Sequence, residues 1–324
     1  MSDIERTGLR THTSRTELDT GRRATMRVRQ ELFASARTLL ELEPAPKIED
    51  DTNDLDDITV IMPIAGRATR AREITKDAIP KHLIRLGNGD TILDTISGNL
   101  QEVGFRKFVF CVGFLKEQLI DHIEKEEWVT ESDTTYEFDE TDRLLGPDGT
   151  ILHAIGALGL KGQGLLVPGD VMLPWDGVAA INRRHRETGA DITFGVTSHV
   201  TERTTDVGKI IVEDGTDRFL WGYGRTEEPR SAYPGTRNLT SAPSHVISIE
   251  RFEELCRAYR EAHPEYISEP LSLRDDMLPW IRQNGGFDVR AFDIEGEVLD
   301  LGTPSTIQYG QENWRKYTSG PSPT

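Results

Sequence analysis

Residues 58–86 read ITVIMPIAGRATRAREITKDAIPKHLIRL, and the rest of the chain is organised around them. The stretch opens on an apolar run, 58–64, with charged sequence before it and Gly66 soon after. That reads as a buried strand, although a short buried helix has the same composition. A loop of small and basic residues follows: Ala65, Gly66, Arg67, Ala68, Thr69, Arg70 and Arg72. Then come Pro80-Lys81 and a second apolar strand over 82–86. Between residues 67 and 85 lie six cationic side chains, Arg67, Arg70, Arg72, Lys76, Lys81 and Arg85, opposed by Glu73 and Asp77 alone. In a chain of formal charge −17 this local excess stands out. Small residues let backbone N–H groups approach an anion closely, and Arg and Lys neutralise it. A polyphosphate site is one reading of the loop; a solvated basic surface is the other.

Working outward, the sequence alternates strand and helix patterns. Strands are predicted at 107–112, 134–138, 165–168 and 191–197, and helices at 91–103, 115–128, 150–160 and 178–188. This order predicts an α/β fold: a Rossmann-like, mostly parallel mixed sheet flanked by helices. Ligands of such sheets bind at the carboxyl ends of the strands, near a switch in strand order. The basic loop and Asp170 each follow a predicted strand directly. Further on, strands at 208–212, 218–223 and 245–249 are joined by turns. Helices at 251–263 and 271–284, strands at 287–294 and 298–301, and a closing helix at 303–316 complete the pattern. This half reads as a smaller antiparallel region.

Three segments follow from composition. Residues 1–57 form an N-terminal extension with a polar, disordered start, an amphipathic helix over 24–43 and an acidic linker over 49–57. The helix rests on Val28, Leu32, Phe33, Ala36, Leu39 and Leu40 at three- and four-residue spacing. Residues 58–317 form the main domain, and 318–324 are a tail. A helix such as 24–43 packs on its own domain or serves a homo-oligomer contact or a partner site.

The charge balance narrows the partners. There are 55 Asp and Glu against 38 Lys and Arg, only nine of the latter being Lys. An acidic surface of this kind argues against general binding to nucleic acid or anionic membranes. It is also what adaptation to high salt would produce. No apolar run reaches the length of a membrane span, and the first residues lack the apolar core of a secretory signal, so a cytoplasmic protein is expected. Cys111 and Cys256 lie far apart and offer neither a disulfide framework nor a cysteine metal site. The P-loop, the dinucleotide fingerprint, H-E-x-x-H and G-x-S-x-G patterns are all absent from the sequence.

The opening stretch resembles that of the sugar-1-phosphate nucleotidylyltransferases, the NDP-sugar pyrophosphorylases. Their pattern is an apolar strand, a loop like G-G-x-G-T-R, then P-K before more apolar sequence. Here residues 65–70 fill the loop, with Ala65 and Ala68 standing where glycines are common, and Pro80-Lys81 fill the second part. L-L-V-P-G-D at 165–170 and D-L-G-T-P at 300–304 match two further family segments. P-D-G-T-I-L-H-A at 147–154 is similar to a base-reading segment of pyrimidine-type members. The resemblance implies a nucleotidyltransferase domain of GT-A type with its antiparallel region toward the sugar. It implies Mg²⁺, an NTP and a sugar 1-phosphate (or a sugar-like one) as reactants, and pyrophosphate as product. It places Arg70 and Lys81 in catalysis. Ala65, Gly66, Arg67, Ala68, Thr69 and Gly149 fall on the nucleotide, and Asp170 and Asp300 on the metal. At the sugar-phosphate position, where the family carries E-K-P, this chain has Glu227-Glu228-Pro229, and Lys209 or Arg225 are the candidate substitutes. Two other readings remain: a non-catalytic homologue that binds a nucleotide-sugar as a signal, and a glycosyltransferase of related fold.

Overall fold

The apolar run at the centre of the sequence becomes β1 (Thr59–Pro63), the middle of a parallel quartet. The computed structural model describes residues 55–130, 133–138, 145–199, 209–213, 215–223, 236–264 and 270–317. The predicted helix 24–43, the linker up to residue 54, Arg225, the Glu227-Glu228-Pro229 triplet and the tail lie outside these residues. β2 (Lys107–Val112) and β4 (Gln163–Leu166) flank β1 in parallel, and β3 (Asp133–Phe138) extends the row beyond β2. Beyond β4 the long β9 (Thr236–Ser248) runs antiparallel to both β4 and β6 (Ile192–Thr197), and β10 (Val289–Asp293) pairs with β6 in parallel. β7 (Lys209–Glu213) joins the other half of β9, and β8 (Phe219–Tyr223) joins β7, both antiparallel. The order is β10-β6-β9-β4-β1-β2-β3. A separate two-stranded piece pairs β5 (Val171–Met172) with β11 (Leu299–Asp300). This is the mostly parallel mixed sheet with a smaller antiparallel region that the sequence predicts.

Helices cover both faces because β1 is apolar on both. Alternate residues of a strand point to opposite faces. Val60 and Met62 pack with α1 (Ile92–Glu102), α2 (Lys116–Ile123), α4 (Trp175–Thr188) and α7 (Pro304–Asn313). Ile61 joins Val109 and Cys111 under α3 (Gly146–Leu158), α5 (Ile249–Ala262) and α6 (Leu278–Asn284). Cys111 and Cys256 are both buried, and neither is in a disulfide.

Several boundaries differ from expectation. The predicted strand at 82–86 does not form. Lys81–Leu83 is a 3-10 turn, and the tight turn through Gly89 (φ 96°) folds the chain back so that Arg85 bridges Thr91. Local pairing therefore consumes the backbone groups a sheet strand would need. The predicted helix 115–128 breaks at Glu124 and resumes as one turn, Glu127–Thr130. The helix expected from 150 starts at Gly146, with Pro147 in its first turn, where a missing N–H costs nothing. β9 is far longer than the predicted 245–249. Its pairing with β6 shifts register between Phe194 and Val196, which lets Pro243 sit inside a long strand.

Candidate active site

The parallel quartet changes direction at β1: the chain goes from β1 to β2 on one side and returns to β4 on the other. The loops leaving the carboxyl ends of β1 and β4 therefore lie side by side. The β1 loop is anchored early, since Ile64 donates to the Cys111 carbonyl at 2.9 Å and Phe114 donates to the Ala65 carbonyl at 3.1 Å. Gly113 permits this approach: a Cβ there would lie 2.8 Å from the Ala65 Cβ. Ala68 then takes a left-handed conformation (φ 50°, ψ 44°), and Thr69–Ala71 form a 3-10 turn that leads into a short helix, Arg72–Thr75.

The β4 loop crosses directly over β1. A Cβ on Gly169 would come 2.3 Å from Ile64 Cγ2 and 3.2 Å from His82 Cδ2. Only glycine fits, and this close passage carries Asp170 over the start of the 81–83 turn. Lys81 is buried there and its ammonium donates to Asp170 Oδ2. Asp300 arrives from the far end of the chain through the β5–β11 pair. It stands opposite Val171, and Leu301 donates its N–H to the Asp170 carbonyl at 2.8 Å. Arg70 Nη2 faces Asp300 Oδ2 at 3.5 Å. Gly302 leaves room for that meeting, because a Cβ there would fall 2.5 Å from Arg70 Nη2. Thr303 closes the turn by capping α7 in a reciprocal pair with Thr306. The cap and the Asp300 position are thus one construction.

Burial pushes the Asp170 carboxyl up, but the charge and hydrogen bond of Lys81, with Arg70 beyond, outweigh it and hold it below the usual carboxylate range. His82 is depressed to about 3, by burial first and by the Lys81 charge second, against the pull of Asp170. Its Nδ1 has no hydrogen-bond partner among the described residues. The edge therefore sets the ionised Asp170 carboxylate beside Lys81, with Arg70 and Asp300 paired next to it and a neutral, enclosed imidazole behind. His82 was not singled out from sequence; the signal for it was only its place beside Lys81.

No protein-family model and no curated protein matches the chain. Solved structures do match its fold. One is a protein named as a glucose-1-phosphate thymidylyltransferase from Bacillus anthracis, in complex with a sucrose, at TM-score 0.63 and 15% identity over 82% of this chain and 98% of that one. HddC from Yersinia pseudotuberculosis, complexed with GMP-PN, aligns at TM-score 0.58 and 17% identity over 79% and 99%. An apo UDP-glucose pyrophosphorylase aligns at TM-score 0.63 and 14% identity over 80% and 98%. The fold is that of the sugar-1-phosphate nucleotidylyltransferases.

Within this nucleotidylyltransferase fold, Arg70, Lys81, Asp170 and Asp300 come together from four separate segments. Other sequence candidates fall elsewhere. Arg67 turns toward Phe114, its guanidinium carbon 5.5 Å from the ring centroid. Gly149 sits in the first turn of α3, where a Cβ would lie 3.1 Å from Leu145 Cβ and 3.8 Å from Leu271 Cβ. That turn follows β3 and faces the 271–273 segment. Ala65, Gly66, Ala68 and Thr69 line the β1 loop itself. His153 Nε2 stands 3.1 Å from Glu137 Oε1, with its side chain 43% exposed. No described helix is long and apolar enough to cross a membrane.

The donor set fits a hard divalent cation. Asp170 and Asp300 are oxygen donors on neighbouring segments, Asp300 opposite Val171 in the β5–β11 pair and Leu301 bonded to the Asp170 carbonyl, and Asp170 is kept ionised by its neighbours. Mg²⁺ typically takes one or two carboxylates, with water and substrate phosphates completing its shell.

Proposed function

We propose that this chain joins an NTP and a sugar (or sugar-like) 1-phosphate to give an NDP-sugar and pyrophosphate, with Mg²⁺ held by Asp170 and Asp300. The observation that carries the reading is the meeting of Arg70, Lys81, Asp170 and Asp300 at the switch point of the sheet. Two anionic reactants must be held close, and positioning with charge neutralisation supplies most of the rate. The sugar phosphate oxygen is already ionised at neutral pH, so its in-line attack on the α-phosphate needs no general base. Lys81, on the 81–83 turn and mostly buried, neutralises charge at the α-phosphate. Arg70, half exposed beside Asp300, reaches the β- and γ-phosphates of the leaving pyrophosphate. Mg²⁺, when bound, offsets charge on the phosphate oxygens. Before substrate arrives, each cation is balanced by a carboxylate, so neither stands as an uncompensated charge.

The test is pyrophosphate release with Mg²⁺, crossing ATP, GTP, CTP, UTP and dTTP with a panel of sugar 1-phosphates. Release that needs both substrates supports the reading and names base and sugar together. One observation favours the non-catalytic alternative: Ala68 holds a left-handed backbone in the phosphate loop that glycine adopts more readily. Silence across the panel at low and high salt, with binding of finished NDP-sugar alone, would select that alternative.

A further inference from the structure

Away from the sheet edge, three ligand-type side chains converge between α1 and α2. His122 lies in the last turn of α2, and Glu126 follows four residues later. Asp94 lies in the first turn of α1. His122 Nε2 stands 2.8 Å from Asp94 Oδ1 and 3.6 Å from Glu126 Oε1. Thr91 Oγ1 is a further 3.4 Å neighbour of the same nitrogen. One imidazole N–H serves one of these oxygens well, and the others are left crowded beside it.

We propose that Asp94, His122 and Glu126 form a Zn²⁺ site that clips α1 to α2. The single donor atoms of the three residues all lie within 4.8 Å of one another. Ligands sharing a tetrahedral Zn²⁺ stand about 3.3 Å apart, and the two measured separations bracket that spacing. Asp94 is set in advance: its Oδ2 accepts from the Thr91 N–H at 3.0 Å and from Thr91 Oγ1 at 2.6 Å, which leaves Oδ1 aimed at His122. Hydrogen bonds of this kind orient metal ligands. The three side chains are 12%, 17% and 33% exposed, Glu126 the most, so the open position faces solvent and suits a water. One nitrogen and two carboxylate oxygens favour Zn²⁺ over Mg²⁺ or Ca²⁺, which prefer all-oxygen shells.

The site does not depend on nucleotidylyl transfer and is tested without it. The full chain is stripped with EDTA, desalted and titrated with Zn²⁺ alone against a chromophoric chelator. The expected result is one tight equivalent in the unaltered chain, weakened at least about 10-fold in His122→Gln and in the more exposed Glu126→Gln. Asp170→Asn should keep it, which separates this site from the one at the sheet edge. Zn²⁺ bound equally by the unaltered chain and by both Gln variants, or not bound at all by the unaltered chain, overturns the proposal.

Discussion

Lys81 donates to Asp170 across 89 positions of chain, and the pair is mostly shielded from water. Removing one partner of such a pair leaves an uncompensated charge, at a cost of about 3–5 kcal/mol. Lys81→Met should therefore destabilise the chain by roughly that amount in urea unfolding, and the double variant with Asp170→Asn should recover most of it. Costs that simply add would mean that the pair is not coupled.

The same pair makes a prediction for activity. Asp170→Asn preserves the shape of the side chain and removes its charge. It should abolish Mg²⁺-dependent pyrophosphate release while circular dichroism stays unchanged. Near-normal turnover would remove Asp170 from the metal site.

Gly302 tests the other pair. A Cβ at this position meets the far end of the Arg70 side chain, which can swing into solvent, and lies 2.6 Å from Asp300 Oδ1, so both members of the pair must shift. Gly302→Ala should cost little stability yet displace the guanidinium and the Asp300 carboxylate by about an ångström, enough for a rate loss on the order of 100-fold. The readout is kcat measured beside the unfolding midpoint. A large loss of stability with normal kcat in the folded fraction would refute the assignment of Arg70.

Ala68 carries a backbone conformation that costs an L-residue roughly 1–2 kcal/mol. Glycine removes that cost but has more freedom to lose on folding, about 0.4–1 kcal/mol. Ala68→Gly should thus stabilise by about 0.5–1 kcal/mol. Thermal unfolding checks the sign, and destabilisation would show that the Ala68 methyl packs better than it strains.

How much of this could be read beforehand depended on whether a signal was local. Asp170 follows an apolar run and Pro168-Gly169, and Asp300 follows Val298-Leu299 and precedes Gly302, so both were visible as carboxylates at strand ends. Their meeting was not, because β5 and β11 have two residues each and no period can show in two residues. Residues 82–86 misled for the opposite reason: Ile84 and Leu86 are buried as in a strand, but the turn at 87–89 closes the segment on itself. The length of β9 was hidden by its Ser, Thr and Pro content, tolerated because Gly195 lets the strands pass closely; a Cβ there would lie 2.4 Å from Ser244 Oγ. The cluster of Asp94, His122 and Glu126 joins two helices whose packing no single-segment pattern reveals.

Asp148 gives the last prediction. It is buried in the first turn of α3 and accepts from the Leu273 N–H at 2.7 Å, a contact that ties α3 to the 273–284 segment. Burial raises its carboxyl to about 6, with the Leu273 bond and Arg274 opposing. A raised carboxyl means that the folded chain holds its proton longer than the unfolded chain, whose group titrates near 3.8. Between those two values the folded state binds more protons, so stability falls as pH rises and stays reduced above about 6. A shift of about two units corresponds to at most about 3 kcal/mol. Asp148→Asn keeps a carbonyl acceptor for Leu273 and removes the ionisation. Compared with the unaltered chain, it should gain stability at pH 7, lose that gain by pH 4, and flatten the slope between. Urea unfolding of both proteins from pH 4 to pH 8 measures the difference. A gap that does not change with pH would show that Asp148 ionises there no differently from the unfolded chain.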